Sequence, residues 1–340
     1  MAQKLISICI PTYNRPVELK RMLESIDTIK YDDVDIVISE NCSPKQKETR
    51  EVVEEYRKTS KFDIHYFENE ENIGYDRNIR AIMQRSQAKF SLLFSDDDVF
   101  MPGAMDDFVE FVRNHQECGY ILRSYKFLDS KGNEQDCRYY ATDKEFPAGI
   151  DSYIELFDKG VFLSGFTIRT EYAREYVTDR LDGSLLYQIY LAAEVIRRYP
   201  SAYSRILISK QIPNQVHFFG DSKEEKSMYK TGLNGVQDRL NFASWYMKIA
   251  DFIEEKYQDG SAKRMKHYMS KYSFSIVGCG RRKYFDFKTF NDYCKELKKI
   301  GYGSSVYFYV YYFGLLVFGN KGCWAIIRFL KKVIGHRPSL

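Results

Sequence analysis

The chain has 340 residues, enough for one large domain with an appendage or for two ordinary domains. Its hydrophobic content of 44% and charged content of 29% are ordinary for a folded soluble protein. The seven cysteines show neither CxxC nor CxxxH spacing, so their pattern indicates no zinc site and no disulfide framework. We expect a reducing cytosol, because the cysteine count is odd and no targeting segment precedes the first predicted strand.

The net charge of +4 is unevenly distributed along the chain. Residues 260–340 contain 16 Lys and Arg against three acidic residues, so this part alone carries +13, and residues 301–340 contain no acid. Such an asymmetry predicts contact with an anionic surface, and the two candidates are membrane lipid and nucleic acid.

The first 100 residues alternate predicted strands and helices. Apolar residues at spacings i, i+3, i+4 and i+7, such as those from Leu19 to Ile26, predict helices. Strands separated by helices of this length build βαβ units, so we predict an α/β fold with a mostly parallel central sheet flanked by helices. The predicted strands are short β-branched runs at residues 5–10 (stopped by Pro11), 35–39, 62–67 and 90–94.

Beyond residue 100 the pattern predicts two helices, three strands and then a helical C-terminal part. A polar stretch at 220–226 is the predicted boundary. We therefore predict an α/β domain over residues 1–220 and a helical region over residues 221–340, with a basic, aromatic tail from about 300 to 340. The predicted helices contain Met105 to Val112 and residues 185–196, and the predicted strands cover residues 120–128, 161–169 and 205–209.

Polar clusters follow the predicted strands where each strand ends. They are the segment 12–15, the pair Glu40 and Asn41, and the triplet 96–98, which is Asp-Asp-Asp. Ligands of doubly wound sheets bind outside the carboxyl ends of the strands. Three adjacent carboxylates repel one another, and a divalent cation with a diphosphate relieves the repulsion. The alternative for the triplet is a solvated acidic turn.

Four sequence blocks resemble the family 2 glycosyltransferases of the GT-A (Rossmann-like) fold. They stand in the order and at the distances found in that family, and the resemblance extends over roughly residues 4–215. Within the family, the chain is similar to bacterial surface-polysaccharide enzymes, including abequosyltransferase-like members. The blocks are ICIPTYNR at residues 8–15, VISENCS at 37–43, NIGYDRN at 72–78 and FSLLFSDDD at 90–98.

The resemblance implies a set of donor-binding residues. Glu40 stands where the family commonly has an Asp that contacts the nucleobase, so the base is left open between uridine, thymidine and cytidine. Asp98 would ligate Mn²⁺ or Mg²⁺, and His217 would complete the metal or phosphate shell, although a lone His is more often structural. The remaining implied donor residues are Pro11, Thr12 and Tyr13 at the base, Asp76 and Arg77 at the base or diphosphate, and Asp96 and Asp97 at the donor.

The resemblance also implies an acceptor side and a general base. Inverting transfer needs a base for the acceptor hydroxyl. Asp182, before the helix predicted at residues 185–196, is the first candidate, and Asp179 is the reserve; capping of that helix is the alternative for Asp182. The acceptor-side residues are Ser164 and Gly165, whose small size leaves room for a sugar or permits tight packing, and Gln188 in the same cleft.

The C-terminal tail is the other informative feature. Residues 306–318 are apolar and aromatic but fall short of the roughly 20 apolar residues that a bilayer span needs. Basic residues are interleaved with the apolar ones that follow, which favours a monotopic anchor lying in an anionic membrane interface. The alternative is a helix buried against the first domain or against a sister subunit, and a homo-oligomer is compatible with the sequence.

Together these features predict an inverting, metal-dependent glycosyltransferase of bacterial surface-polysaccharide synthesis. It would move a sugar from a UDP-, dTDP- or CDP-sugar to a glycan carried on a polyprenyl lipid, at the inner face of the cytoplasmic membrane. A nucleotidyltransferase is one alternative, but no Gly-rich, Lys- or Arg-bearing loop follows the first strand to hold a triphosphate. A nucleic-acid-binding protein using the basic tail is the other, and the chain carries no recognisable reading motif for it, so we expect no nucleic-acid partner.

Overall fold

The computed structural model describes residues 3–26, 30–129, 132–213, 216–230, 235–279 and 286–334. The chain divides into two compact units, Met1–Gly232 and Leu233–Leu340. The first is an α/β unit with one mixed sheet, and the second is helical. The predicted fold class is therefore confirmed.

The sheet of the first unit is mostly parallel. Its strands follow the order β3-β2-β1-β4-β9-β6-β10-β5, with β7 paired to β6 and β8 paired to β10. β1 is parallel to β2 and β4, β2 to β3, and β6 to β10, whereas β9 is antiparallel to β4 and β6. The strands are β1 (Ile6–Thr12), β2 (Val34–Glu40), β3 (Ile64–Glu68), β4 (Phe90–Leu93), β5 (Val99–Phe100), β6 (Tyr120–Leu128), β7 (Glu134–Cys137), β8 (Lys144–Phe146), β9 (Phe166–Arg169) and β10 (Ser201–Lys210).

Helices cover the sheet and bury a continuous apolar core against it. The amphipathic faces predicted from sequence are the buried ones, as Leu19, Met22 and Leu23 show in the first helix. The helices of this unit are α1 (Pro16–Glu24), α2 (Gln46–Arg57), α3 (Tyr75–Arg85), α4 (Ala104–Asn114), α5 (Ile150–Leu156), α6 (Thr170–Arg174), α7 (Tyr187–Arg198) and α8 (Lys223–Lys226), with a 3-10 helix at Phe157–Gly160.

Strand β1 runs through Pro11 instead of stopping before it. The β4 ladder on one side of β1 ends at the pair Cys9 and Leu93, while the β2 ladder on the other side continues to Thr12. Pro11 lies two residues after Cys9 and so faces the side where β4 has ended. Its missing N–H therefore breaks no ladder bond.

The strand predicted at 161–169 begins only at Phe166. The backbone before it turns at Gly165, which has φ of +90°. The side chain of Arg123 leaves no room for a Cβ at this turn, because an added Cβ at Gly165 would lie 2.9 Å from the Arg123 Cγ. A tertiary contact thus replaces a strand that the apolar sequence favours.

The first unit extends beyond the predicted boundary at residue 220, up to Gly232. The short helix α8 belongs to it because buried Glu225 accepts hydrogen bonds from the backbone N–H groups of Tyr75 (2.7 Å) and Gly220 (2.9 Å). A polar stretch in the sequence is therefore a packed part of the α/β unit.

The second unit is built from helices. Its longest element, α13, contains a break at Gly319, where φ is +61° and ψ is −179°. The helices are α9 (Val236–Tyr257), α10 (Ser261–Lys271), α11 (Phe274–Cys279), α12 (Phe287–Ile300) and α13 (Val306–Ile334), with a 3-10 helix at Tyr302–Ser304.

Candidate active site

A cleft lies at the carboxyl ends of β1, β2 and β4, where polar clusters follow each strand. Its volume is about 600 Å³, including the open solvent at its mouth. Of the predicted donor residues, four line it, namely Pro11, Thr12, Tyr13 and Asp96. The other lining residues are Arg15, Asn41, Asn72, Gly74, Tyr75, Asn78, Ser95, Leu163, Phe218, Phe219 and Glu225.

The turn between β1 and α1 places the positively charged side chain of Arg15 beside the acidic residues of the cleft. Asn14 adopts φ of +62°, a left-handed conformation that Asn tolerates better than most residues. The Arg15 Nη1 then lies 2.8 Å from carboxylate oxygens of both Asp96 and Asp97. The Thr12 hydroxyl donates to the second oxygen of Asp96, also at 2.8 Å.

Asp98 lies on the other side of the triplet and contacts a different segment. Its carboxylate accepts hydrogen bonds from the Ser164 hydroxyl (2.5 Å) and the Ile212 N–H (3.3 Å). The Ser164 hydroxyl in turn accepts from the N–H of Ser95 at 3.1 Å. The structure therefore brings predicted acceptor-side Ser164 against the predicted metal ligand Asp98.

The triplet concentrates negative charge in a desolvated place. Burial raises the pKa of Asp98 to about 7 and that of Asp96 to about 6, and repulsion from Asp97 adds to both increases. Arg15 opposes the increase at Asp96. Within the part of the chain that the structure describes, Asp98 has no ion-pair partner. Carboxylate oxygen is the ligand that Mg²⁺ and Mn²⁺ prefer, so a divalent cation fits the position beside Asp98.

Asp98 and His217 do not form a complete metal centre by themselves. Among the described residues, no group of three or more His, Cys, Asp or Glu side chains is arranged to hold a metal ion. His217 is exposed, and its ring lies parallel to that of Phe219 at 6.0 Å. The metal role of His217 stays a prediction.

Aromatic rings form another part of the cleft lining. Tyr13 meets Phe218 edge to face at 5.7 Å, and Tyr75 meets Phe219 in the same way at 5.5 Å. The Tyr13 hydroxyl donates to Asp221 at 2.7 Å. Burial and this contact raise the pKa of Tyr13 to about 12, so the phenol stays neutral and able to donate.

We call residues 216–222 the strap. Several contacts attach this segment to residues of the cleft. Arg15 donates to the carbonyl of Val216, and its guanidinium carbon lies 5.6 Å from the centre of the Phe218 ring. Sequence reasoning missed both phenylalanines, because they are far from the strand ends in sequence. The only signal near them was the resemblance at His217.

A network of asparagines shapes the turn at 72–74. The Asn41 Oδ1 accepts from the Asn69 Nδ2 (2.9 Å) and the Ile73 N–H (3.1 Å), and the Asn41 Nδ2 donates to the Asn72 Oδ1 (3.0 Å). Two features require glycine at position 74. Its φ is +79°, and an added Cβ would lie 2.8 Å from the Ser222 Oγ.

Glu40, predicted at the nucleobase, does not line the cleft. It is fully buried, and its carboxylate accepts hydrogen bonds from the Ser43 N–H and the Gln46 Nε2, both at 3.0 Å. These bonds hold the start of α2. The neighbouring Asn41 takes the place in the cleft lining.

Asp76 and Arg77 also have partners outside the cleft lining, and their predicted donor contacts stay predictions. The buried Asp76 carboxylate accepts from the N–H groups of Leu185 (2.9 Å) and Tyr187 (3.0 Å), so it caps the start of α7. Arg77 forms ion pairs with Asp182 (2.7 Å) and Glu224 (2.9 Å). Both residues support the walls of the cleft.

Asp182, the predicted base, is engaged by two arginines. Arg77 Nε lies 2.7 Å and Arg80 Nη1 lies 2.9 Å from its carboxylate oxygens, and the Asp182 side chain is 9% exposed. Asp182 is outside the cleft lining, and the reserve candidate Asp179 is exposed on the surface. In the described arrangement Asp182 acts as an ion-pair centre between α3 and the turn before α7.

The other acceptor-side residues are packed in the interior. An added Cβ at Gly165 would lie 2.7 Å from the Ile208 Cγ2, so its small size serves close packing. Gln188 is 1% exposed, and its Nε2 donates weakly to the carbonyl of Val161 at 3.4 Å. Among the described residues, no group donates to the Gln188 Oε1.

Comparison with known proteins relates part of this chain to a family. Residues 7–166 match the model of Glycosyl transferase family 2. The chain is 38% identical over 96 residues to abequosyltransferase RfbV of Salmonella typhimurium, covering 28% of each protein. It is 27% identical over 106 residues to a GalNAc(5)-diNAcBac-PP-undecaprenol beta-1,3-glucosyltransferase of Campylobacter jejuni, covering 31% of this chain and 33% of that protein. The matched part spans about a third or less of the length of these relatives.

Solved structures agree at the level of the fold. TarS of S. aureus in complex with UDP-GlcNAc has a TM-score of 0.60 at 17% identity, covering 87% of this chain and 80% of that one. The mannosyltransferase PcManGT of Pyrobaculum calidifontis, in complex with GDP-Man and Mn²⁺, has a TM-score of 0.52 at 11% identity, covering 94% and 88%. At these identities the likeness establishes the fold alone.

Proposed function

We propose that the protein transfers a sugar from a nucleotide-diphosphate donor to a glycan acceptor with inversion, since residues 7–166 match the model of Glycosyl transferase family 2. The observation that carries this proposal is that aromatic rings and Asp96, the first residue of the buried acidic triplet, line the same cleft. Thr12 bonds Asp96 at 2.8 Å, and the next residue, Tyr13, forms the aromatic wall. We propose bacterial surface polysaccharide as the product class, and the matched relative of Campylobacter jejuni is named for an undecaprenol-linked glycan.

The aromatic end of the cleft suits a nucleobase. Tyr13, Phe218 and Phe219 offer apolar ring surface, and Asn72 adds an amide to the same lining. The donor candidates are a UDP-, a dTDP- and a CDP-sugar. The S. aureus neighbour is seen with UDP-GlcNAc, which makes UDP the first of these to test.

The acidic end suits a diphosphate held through Mn²⁺ or Mg²⁺. Asp98 would hold the cation, with donor phosphates and water completing the ligands, and a bound cation supplies charge neutralisation for the leaving diphosphate. Arg15 is the cationic side chain of the cleft lining, and its guanidinium is suited to phosphate oxygens. Asp96 and Asp97 orient this guanidinium through their contacts with it.

The acceptor hydroxyl needs a proton acceptor. Asp182 was predicted for this role, but its carboxylate is held by Arg77 and Arg80. A base at Asp182 would require both ion pairs to open when the acceptor binds. The structure thus supports the ion-pair role more directly, and the substitution described in the Discussion separates the two.

Donor turnover without an acceptor tests the proposed activity. The protein would be incubated with each UDP-, dTDP- and CDP-sugar in Mn²⁺ or Mg²⁺, and the release of nucleoside diphosphate would be measured. We expect release from one donor class, lost in EDTA and in Asp98→Ala. A matched control is Asp107→Ala, because Asp107 is an exposed acid in the first turn of α4. Release that is equal in EDTA would contradict metal dependence.

We further propose that the acceptor is carried on a membrane lipid and that α13 contacts that membrane. Residues Val306–Phe329 are long and apolar enough to cross a bilayer by length and composition, and only 11% of the apolar window is buried. One face of the helix packs within the second unit through Phe308 and Leu315, which are 2% and 0% exposed. The opposite face is also apolar, and its exposed residues are Val306, Val310, Phe313 and Val317.

The break at Gly319 favours an in-plane position over a crossing. The part before it, 306–318, is about 20 Å long at 1.5 Å per residue, less than the roughly 30 Å of a hydrocarbon core. Exposed Trp324, Ile326 and Phe329 continue the apolar surface beyond the break. Since the sequence from 301 onward is basic and free of acids, we commit to an anionic lipid interface as the partner. We therefore propose the inner face of the cytoplasmic membrane as the location of the enzyme.

Vesicle sedimentation tests this surface. The protein should pellet with vesicles of anionic lipid and much less with neutral ones, and Val310→Asp with Val317→Asp should abolish pelleting. Phe287→Asp on α12 is the control, because Phe287 is a similarly exposed apolar residue outside α13. Binding to oligonucleotides in preference to vesicles would contradict the assignment. So would a stable dimer in solution that the double variant dissociates.

A further inference from the structure

An arginine is completely buried beside the proposed transfer site. Arg123, in β6, has 0% exposure. Within the described residues, no carboxylate lies at ion-pair distance from it. Removing a guanidinium from water costs several kcal/mol unless its donors are all used. The position therefore demands an explanation beyond packing.

The guanidinium donates to backbone carbonyls of one short segment. Its Nε bonds the Ser164 oxygen at 3.0 Å, its Nη1 lies 3.5 Å from the Lys159 oxygen, and its Nη2 bonds the Phe162 oxygen. It also lies 5.3 Å from the ring centre of Phe162 and 5.5 Å from that of Tyr125. One side chain thus fixes three carbonyls between residues 159 and 164.

The same segment contacts both the cleft and Asp98. Leu163 belongs to the cleft lining, and the Ser164 hydroxyl donates to Asp98 at 2.5 Å. Gly165 ends the segment at φ of +90°, with its Cα packed so closely on Arg123 that a Cβ would meet the Arg123 Cγ at 2.9 Å. Arg123 is therefore one side chain away from the proposed cation ligand.

We propose that Arg123 is a positioning residue for sugar transfer. By holding the carbonyls of Phe162 and Ser164, it keeps the Ser164 hydroxyl on Asp98. The planar guanidinium fork provides the divergent donors that this needs, which the single ammonium of Lys does not. The proposal rests on the proposed function, because it assigns Arg123 a role toward the same donor and cation.

A double-mutant cycle tests the route through Ser164. We expect Arg123→Lys and Ser164→Ala each to lower kcat by about 10- to 100-fold, the scale of an ångström of misplacement. Because Arg123 acts through Ser164, the double variant should match Ser164→Ala within about threefold. Arg113→Lys is the control, since Arg113 pairs with Asp33 at 3.1 Å outside the cleft lining and should leave kcat unchanged. Multiplied effects in the double variant would overturn the proposal.

A binding measurement keeps the test independent of turnover. Calorimetry with the nucleoside diphosphate should show a weaker Mn²⁺-dependent gain in affinity for Arg123→Lys, with binding of the nucleoside alone unchanged. Arg123→Gln, which keeps a donor, replaces the variant if Arg123→Lys does not fold. No nucleotide binding by the wild-type protein would sink the proposed function itself. If the wild-type protein binds the nucleotide and the Arg123 variant keeps both the wild-type kcat and the wild-type gain in affinity with Mn²⁺, only the role of Arg123 is contradicted.

Discussion

Arg15 and Asp96 form a largely buried ion pair of 2.8 Å at the carboxyl end of β1. The same guanidinium nitrogen also lies 2.8 Å from Asp97. One cation thus serves two carboxylates, while Asp98 has no cationic partner among the described residues. The site is electrostatically incomplete on the side of Asp98. A divalent cation beside Asp98 would complete it, and this is the physical basis of the proposed metal dependence.

Arg15→Met should destabilise the cation-free protein by about 3 kcal/mol, because it leaves two buried carboxylates without their partner. Chemical denaturation with and without Mn²⁺ measures this, and Mn²⁺ should recover part of the loss by supplying positive charge. Asp97→Asn in the Arg15→Met background should also recover part of it, since it removes one of the repelling charges. If neither Mn²⁺ nor the second substitution raises the stability, the electrostatic account of Arg15 is wrong.

Asp76→Asn should flatten the pH dependence of stability between about pH 4 and 7. Burial raises the pKa of Asp76 to about 7 in the folded protein, above its unfolded value near 4. A carboxyl with a raised folded pKa contributes most below its unfolded pKa, and that contribution is lost as pH rises through the folded pKa. Asp96 and Asp98 titrate in the same direction, so part of the slope should remain.

Thermal unfolding across this pH range provides the measurement, with exposed Asp107→Asn as the control. The control should keep the wild-type slope. A wild-type slope in Asp76→Asn would show that the buried cap of α7 does not titrate in this range.

Asp182→Asn should lower the free energy of unfolding by about 1–2 kcal/mol, because it weakens ion pairs with two arginines, one of them 38% exposed. Donor affinity should be unchanged, and turnover at saturating substrates should fall by less than about tenfold. Denaturation, calorimetry and steady-state kinetics report on these three quantities separately. Turnover reduced about a thousandfold at unchanged stability would instead establish Asp182 as the general base.

Gly165→Ala should cost more than the strain of its backbone alone. Its φ of +90° disfavours any side chain, and the new Cβ would meet Ile208 at 2.7 Å and Arg123 at 2.9 Å. Gly103→Ala is the matched control, because Gly103 has φ of +72° with nothing within 4 Å of the added Cβ. We expect about 1 kcal/mol for the control and about 3 kcal/mol for Gly165→Ala. Equal losses of stability in Gly165→Ala and Gly103→Ala would show that the side chains around Arg123 move easily to make room for the added Cβ.

The sequence predicts the frame of the site because strand ends are local features. Pro11, Thr12 and Tyr13 follow an apolar run, and Asp96 follows another, so βαβ topology alone brings them to one edge. The fold class follows from the same alternation. Nothing in that reasoning needs a distant contact.

The structure departs from the predicted positions where the direction of a side chain decides its contacts. Glu40 and Asn41 are neighbours at the end of β2, yet Asn41 enters the cleft lining while the Glu40 carboxylate turns to the start of α2. On α3, Tyr75 and Asn78 reach the cleft at a spacing of i and i+3, whereas Asp76 between them caps α7. A motif match does not supply these directions.

Other parts of the site depend on contacts between distant segments. Phe218 contacts Tyr13, and the Tyr13 hydroxyl also bonds Asp221 of the strap. Arg123 in β6 contacts Ser164, which lies just before the neighbouring strand β9. Arg123 stands in a strand whose sequence gives no sign of a buried charge. Such partners become visible only once the tertiary structure is known.

Calorimetric titration of nucleotides and nucleotide-sugars, with and without Mn²⁺, tests the central claim most directly. We predict that one nucleoside diphosphate binds at least tenfold more tightly with Mn²⁺, and that Asp98→Asn removes this gain without lowering thermal stability, since it removes a buried charge. Binding of that nucleotide with equal affinity in Mn²⁺ and EDTA, or by Asp98→Asn with the full Mn²⁺ gain, would contradict the account.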